Sequence, residues 1–292
     1  MKATLLKTTI LLLVTAGAVT EAAAISPNSV EVELGHLART HTGQQRPEMI
    51  HDPVLNAVAR AKAFDLARRN YFSHVDPDGF GPNRVAQLVG YELPGWYGSD
   101  KSSNYIESIG GGAGSAAQQF SSWLGSSGHR AHLLGTNEFY AEQTHYGVGY
   151  AEVAGSRLRR YYVFISAPPP EAGGGDGPYA DWLLQQFLPK SLESTDDMTD
   201  HDGDGISRLQ EFVLGFEPRT PNVLPSPTLS SDSRRLEWRL PLRETLGSIT
   251  ARVERSGDLK SWTREDVNVE PGGLFSIPID EPLGALRLAV DR

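Results

Sequence analysis

The chain has 292 residues, no cysteine, and a formal net charge of −9 from 36 acidic and 27 basic side chains. This length suits two or three domains, and the acidic balance excludes a general electrostatic affinity for nucleic acid or anionic lipid. Without cysteine there are no disulfides and no thiolate chemistry, so stability falls to packed cores and bound ions.

Residues 1–24 have the pattern of a cleavable secretory signal. Lys2 and Lys7 give a positive start, Thr8 to Val19 an apolar run, and Ala22-Ala23-Ala24 a small-residue cleavage site. The run is shorter than the roughly 20 residues needed to span a bilayer, is broken by Thr15 and Gly17, and meets Glu21 at once. No second long apolar run follows. The expectation is a secreted, periplasmic or cell-surface protein with no membrane span.

Residues 28–168 read as one mixed α/β unit. Asp52 and Pro53 form an N-cap and first-turn pair, and Leu55, Ala59, Ala63 and Leu66 then repeat at helical spacing. The helix gives way at Asn70 to Tyr71-Phe72-Ser73-His74, and then to the turn formers of residues 76–82. A second helix starts near Ser115, with Ala116, Phe120, Trp123 and Leu124 on its core side. Residues 146–150 and 161–166 read as strands of an antiparallel hairpin that turns at Gly155.

The Pro- and Gly-rich residues 169–178 have the composition of a linker. Beyond them, residues 179–188 form a short amphipathic helix with Trp182, Leu183 and Phe187 on its apolar side. Residues 200–211 match a twelve-residue EF-hand-type loop inside a helix-loop-helix connector spanning 179–220. Asp200, Asp202 and Asp204 supply oxygens at positions one, three and five, and Gly205 permits the sharp turn. Ile206 offers its carbonyl, and Glu211 can bind bidentately. Oxygen donors at this density suit Ca²⁺, and a single loop points to a structural site. One departure is that the apolar Ile206 stands a place earlier than in an EF-hand. The wording "DGDGISRLQEFVLGFEP" resembles the calcium-binding linkers of secreted bacterial proteins, in the style of dockerin and thrombospondin type 3 repeats. In residues 230–292, Ile249, Ala251 and Val253, and later Leu286, Leu288 and Val290, alternate with polar side chains. A small all-β sandwich is expected there, with Trp262 packed inside it.

Four motifs in register, "NYFSHVDPDGFGPN", "NYIESIGGG", "WLGSSGHRAHLLG" and "YGVGY", resemble the bacterial SCP-like branch of the CAP superfamily over about residues 30–168. That resemblance implies an α-β-α sandwich (the CAP fold), with a cleft of two histidines and two acidic residues that binds a divalent metal in some members. Carried onto this chain, it implies His74, Glu107 and, as the best match for the second histidine, His129, with His132 and His145 competing. The second acidic residue has no clear counterpart. Ser126 stands near the place where eukaryotic members carry a glutamate, Glu138 or Glu142 could substitute, and the eukaryotic "GHFTQ" signature is absent.

On residue types alone, two imidazoles and a carboxylate suit Zn²⁺ or another divalent metal, or general acid–base work, and each can also be structural. No serine lies in a nucleophile elbow, so a hydrolase would need metal-bound or His-activated water. CAP members are linked to lipid or sterol binding, channel block, proteolysis and wall association, so the resemblance fixes no reaction. The expectation is a largely non-enzymatic protein binding an extracellular ligand (lipid, cell-wall polymer or protein) through the cleft. The alternative is an extracellular peptidase or esterase using the same residues.

Overall fold

The computed structural model describes residues 26–98, 100–170, 175–230, 235–244, 246–256, 260–264, 269–270, 273–278 and 285–291. The expected signal at 1–24 lies outside the described residues, as do positions 171–174 of the Gly-rich stretch. In chain order the first unit contains α1 (Ser29–Thr40), β1 (Ile50–His51), α2 (Pro53–Arg68), α3 (Pro82–Leu88) and β2 (Glu107–Gly111). It continues with α4 (Ala116–Leu124), α5 (Ser127–Leu134), α6 (Glu138–Ala141), β3 (His145–Glu152) and β4 (Arg160–Ala167). Three short helices follow, α7 (Gly177–Gln186), α8 (Pro189–Glu193) and α9 (Arg208–Leu214). The last region holds β5 (Thr228–Leu229), β6 (Arg235–Arg239), β7 (Thr250–Ser256), β8 (Thr263–Arg264), β9 (Val269–Glu270), β10 (Leu274–Pro278) and β11 (Ala285–Asp291).

Side chains at the helix starts satisfy backbone N–H groups that would otherwise lack partners. Asn28 accepts from Val30 N and Glu31 N, while Glu31 returns a carboxylate to Asn28 N. Asp52 accepts from Leu55 N, with Pro53 in the first turn, as the sequence anticipates. Ser115 accepts from Gln118 N and starts α4 where expected.

Strands β1 to β4 form one sheet in the order β1-β3-β4-β2; β1 runs parallel to β3, and the other pairs are antiparallel. Alternation along β4 divides two cores. Tyr161, Val163, Ile165 and Ala167 pack on the α2 side. Tyr162 and Phe164 join Leu34, Phe120, Trp123 and Leu133 from α1, α4 and α5 on the other. Helices therefore cover both faces of the sheet, the α/β arrangement expected. Two glycines of "YGVGY" let α2 lie directly on β3. A Cβ at Gly149 would sit 2.0 Å from the Ala59 carbonyl oxygen, and one at Gly147 2.2 Å from Asn56 N.

The same core runs on past Pro170. Tyr179, Trp182, Leu183, Phe187, Leu209, Phe212 and Val213 are buried in one cluster with α2, making α7 a layer outside α2. Polar contacts hold that layer as well: Arg60 binds Glu31 at 2.8 Å and reaches Asp181 of α7 at 3.6 Å. The last region consists of two sheets, β5-β6-β10-β9 and β11-β7-β8, around Trp238, Leu240, Val253, Phe275, Ile277 and Leu288. Val253 faces Leu288 and Ala251 faces Val290, as their alternation suggests. Trp262 differs from expectation. It lies beside edge strand β8, half-buried, with the Arg287 guanidinium 4.3 Å from its ring centre, and Trp238 fills the core instead. No helix among the described residues is long and apolar enough to cross a membrane.

Candidate functional site

Glu107 opens β2, and strand pairing fixes it opposite Ile165 of β4. Asn104 holds it from the preceding turn, accepting from Glu107 N at 3.0 Å and donating to its carbonyl at 3.2 Å. His74 lies in the segment after α2, which Lys62 anchors by donating to the His74 carbonyl at 2.8 Å and to Tyr71 Oη at 3.0 Å. Arg69 at the end of α2 pairs with Asp65, Asp76 and Asp78 and so pins the turn that follows.

These supports bring His74 Nδ1 to 2.8 Å from Glu107 Oε1. The Glu107 side chain is fully buried while that of His74 is 37% exposed, so the pair sits at a boundary with solvent. Glu107 Oε2 is buried and has no hydrogen-bond partner. Leaving a buried acceptor unsatisfied costs about 1–3 kcal/mol, and more for a charged group. That oxygen therefore marks a place for a donor or a cation. With Nδ1 engaged, His74 Nε2 is left for other chemistry.

His129, on α5, lies near enough to His74 to feel its charge. Burial first, then His74, hold its imidazole below the ordinary range. The two competing histidines sit in the framework. His132 is fully buried in hydrogen bonds, Nδ1 2.7 Å from Ser108 Oγ and Nε2 2.9 Å from Ser166 Oγ. His145 lies 3.7 Å from Asp52, the cap of α2. Glu138 and Glu142 are not buried, and Ser126 occupies the N-cap position of α5.

A cavity of about 630 Å³ opens beside the pair. Lys62, His74 and Glu107 line it together with Val58 of α2 and Leu184 and Phe187 of the α7 segment; His129 lies outside this lining. Lys62, Asn104 and Leu184 were not singled out from sequence. Periodicity marks an apolar face on α7 but does not say which surface that face meets.

The 200–211 loop forms a second constellation. One carboxylate oxygen from each of Asp200, Asp202 and Asp204 lies within 4.8 Å of the others. Asp200 accepts from Gly203 N and Gly205 N at 2.8 and 2.9 Å, and Asp204 from Ile206 N at 2.7 Å. Gly203 and Gly205 take φ values of 81° and 87°, the left-handed region that glycine enters without strain. Glu211, in the first turn of α9, is fully buried with both carboxylate oxygens unpartnered, and Asp202 Oδ2 is unpartnered too. Burial, and then Asp202, Asp204 and Asp200, push the Glu211 carboxyl up to about 8. Three converging aspartate oxygens, with the unsatisfied buried oxygens of Glu211 close enough to feel their charge, are a donor set of the kind that suits Ca²⁺.

No family model matches the chain. Over 123 residues it is 32% identical to an uncharacterized protein, YkwD, of Bacillus subtilis (strain 168). The match covers 41% of this chain and 41% of that relative's length, so the chain spans about two fifths of the curated relative. Among solved structures, the chain is similar to an outer surface protein from Borrelia burgdorferi, at 18% identity and a TM-score of 0.35 over 48% of this chain and 89% of that one. It is also similar to an extracellular protein containing an SCP domain from Bacillus anthracis str. Ames. There the identity is 23% and the TM-score 0.35, over 47% of this chain and 40% of that one.

Proposed function

We propose that this is an exported CAP-like protein that binds an extracellular ligand through the His74–Glu107 cleft and holds a structural calcium ion in its 200–211 loop. One observation carries the reading: Glu107 is buried with one oxygen on His74 and the other unpartnered, a preformed acceptor beside an open cavity. The signal pattern at 1–24 supports export, and the four motifs that supply His74, Glu107, His129 and β3 support the CAP-like assignment. The ligand is a lipid, a cell-wall polymer or a protein whose donor group meets Glu107 Oε2. Imidazole nitrogens of His74 and His129 suit Zn²⁺ or another divalent metal, with Glu107 orienting His74 from behind, as carboxylates do behind metal-bound histidines. Asp200, Asp202, Asp204, Glu211 and the Ile206 carbonyl would hold the calcium.

An extracellular peptidase or esterase is the second reading. It is favoured by the same pair, because a carboxylate on Nδ1 leaves Nε2 as a base for water. The adjacent serines are otherwise engaged: Ser108 with His132, and Ser73 accepting from Val75 N. A broad peptide and ester screen, combined with zinc titration by calorimetry, separates the two. The binding reading expects no turnover, and zinc heat that falls with His74→Ala and with His129→Ala while thermal stability is kept. Turnover abolished by both His74→Ala and Glu107→Gln overturns it in favour of the hydrolase.

A further inference from the structure

The cavity beside the cleft has one wall that belongs to the calcium segment. Leu184, Phe187 and Leu188 line the cavity together with Val58 and Lys62 of α2. Phe187 is 3% exposed, and its ring centre lies 4.6 Å from that of His201, the second residue of the acidic loop. At the other end of the loop, Phe212 follows Glu211 directly. Its ring packs 5.6 Å from Trp182 and 5.0 Å from Tyr179, both on α7. Tyr179 Oη also donates to Asp197 at 2.8 Å, and Arg208, which begins α9, donates to the same carboxylate at 3.0 Å. The wall is thus gripped by residues at both ends of one loop.

That loop collects negative charge at its centre. Three aspartates lie within 4.8 Å of one another, and the buried Glu211 has no partner for either oxygen. Without a cation, the clustered aspartate oxygens repel one another and Glu211 keeps no partner, which loosens the aspartate turn against α9. Loosening there acts on Phe187 through His201, which packs on it, and through Phe212, which reaches it by way of Trp182. A cation at the centre draws the turn and α9 together and holds the wall in place.

We propose that calcium in the 200–211 loop regulates ligand binding at the His74–Glu107 cleft by fixing the α7–α8 wall of the adjoining cavity. The proposal rests on the reading of that cleft as a ligand site. Coupling of this kind is reciprocal: a ligand that needs the fixed wall strengthens calcium binding by the factor by which calcium strengthens its own.

The test uses the full chain and 1-anilinonaphthalene-8-sulfonate as an apolar fluorescent probe, titrated in calcium and in a chelator. Calorimetry follows calcium with and without the probe. The expected result is probe affinity about tenfold higher in calcium, within the roughly 5–150-fold range of such couplings, and calcium affinity raised equally. Leu184→Trp, which fills the cavity, should abolish the probe signal. Phe187→Ala should keep the calcium heat while removing the response of the probe to calcium. His201→Ala, which removes the stacking partner and no calcium-binding carboxylate, should do the same if Phe187→Ala does not fold. Calcium heat with equal probe affinity in calcium and chelator overturns the coupling, and leaves the zinc result to judge the cleft. Probe binding that persists in Leu184→Trp, or that is absent in both conditions, overturns the cavity as the binding place. Absence of calcium heat overturns the loop and the coupling together.

Discussion

At residue scale, the side chains behind the cleft explain why His132 of "GHRAH" belongs to the framework. Arg46 is 4% exposed and donates to the carbonyls of His132, Leu133 and Tyr140 at 2.6, 3.0 and 2.9 Å; burial pulls its guanidinium down to about 10. His132 lies beyond it, between the Ser108 and Ser166 hydroxyls. Burial, and then Arg46, hold its imidazole well below its ordinary 6.5, so it is neutral. Because the folded chain resists this proton more than the unfolded chain does, the stabilisation is present in full above about pH 6.5 and is lost progressively as the pH falls from there toward the lower folded value. The melting temperature should therefore drop between about pH 7 and pH 5, and His132→Gln should lower the plateau but flatten that slope. Equal slopes in the two proteins would remove His132 as the cause. The resemblance ranks His129 ahead of His132, three residues on, but leaves both in competition. What separates them is Ser108 on β2 and Ser166 on β4, brought in by strand pairing that no local pattern displays.

At the scale of elements, legibility follows how local the determinants are. The acidic loop is visible in sequence because its ligand types stand within twelve consecutive residues. Calcium calorimetry should show one site, lost in Asp202→Ala. At a hundredfold excess over Kd the ion should stabilise the fold by about 2.7 kcal/mol. A titration without heat and without a gain in melting temperature removes the site. The helix starts at Asp52 and Ser115, and the β3–β4 hairpin, are equally local and were legible. The His74–Glu107 contact is not, since 33 residues separate its partners. The family-like motifs pointed to both residues. They did not reveal the roles of Asn104 and Lys62, which depend on where the turn before β2 and the outer side of α2 come to rest. Trp262 misled because an aromatic within a β pattern fits the core as well as the edge. Its place was decided by β8 lying at the margin of a three-stranded sheet.

For the whole molecule, the informative feature is the layer of α7 over α2, with Phe212 of α9 packed on Tyr179 and Trp182 of α7. Proline and glycine at 169–178 describe backbone freedom and say nothing of where the apolar faces on either side will land. Tyr179, Trp182, Phe187 and Phe212 land in the same core as Leu66, Val163 and Ile165. A chain ended at residue 170 keeps its sheet and both flanking helix layers but exposes the outer side of α2. It should melt lower than the full chain and self-associate, as checked by thermal unfolding and sedimentation. A monomeric truncation with an unchanged melting temperature would show that the outer layer is dispensable. The layering also places an interval within the birth of the molecule. Every strand of the first sheet has been made by residue 167, whereas α7, the helix that covers the outer side of α2, ends at 186. At about 5–20 residues per second those roughly twenty residues take about 1–4 s. Throughout that interval the nascent chain carries a nearly finished sheet with an uncovered greasy flank, the period when a chaperone has most to hold.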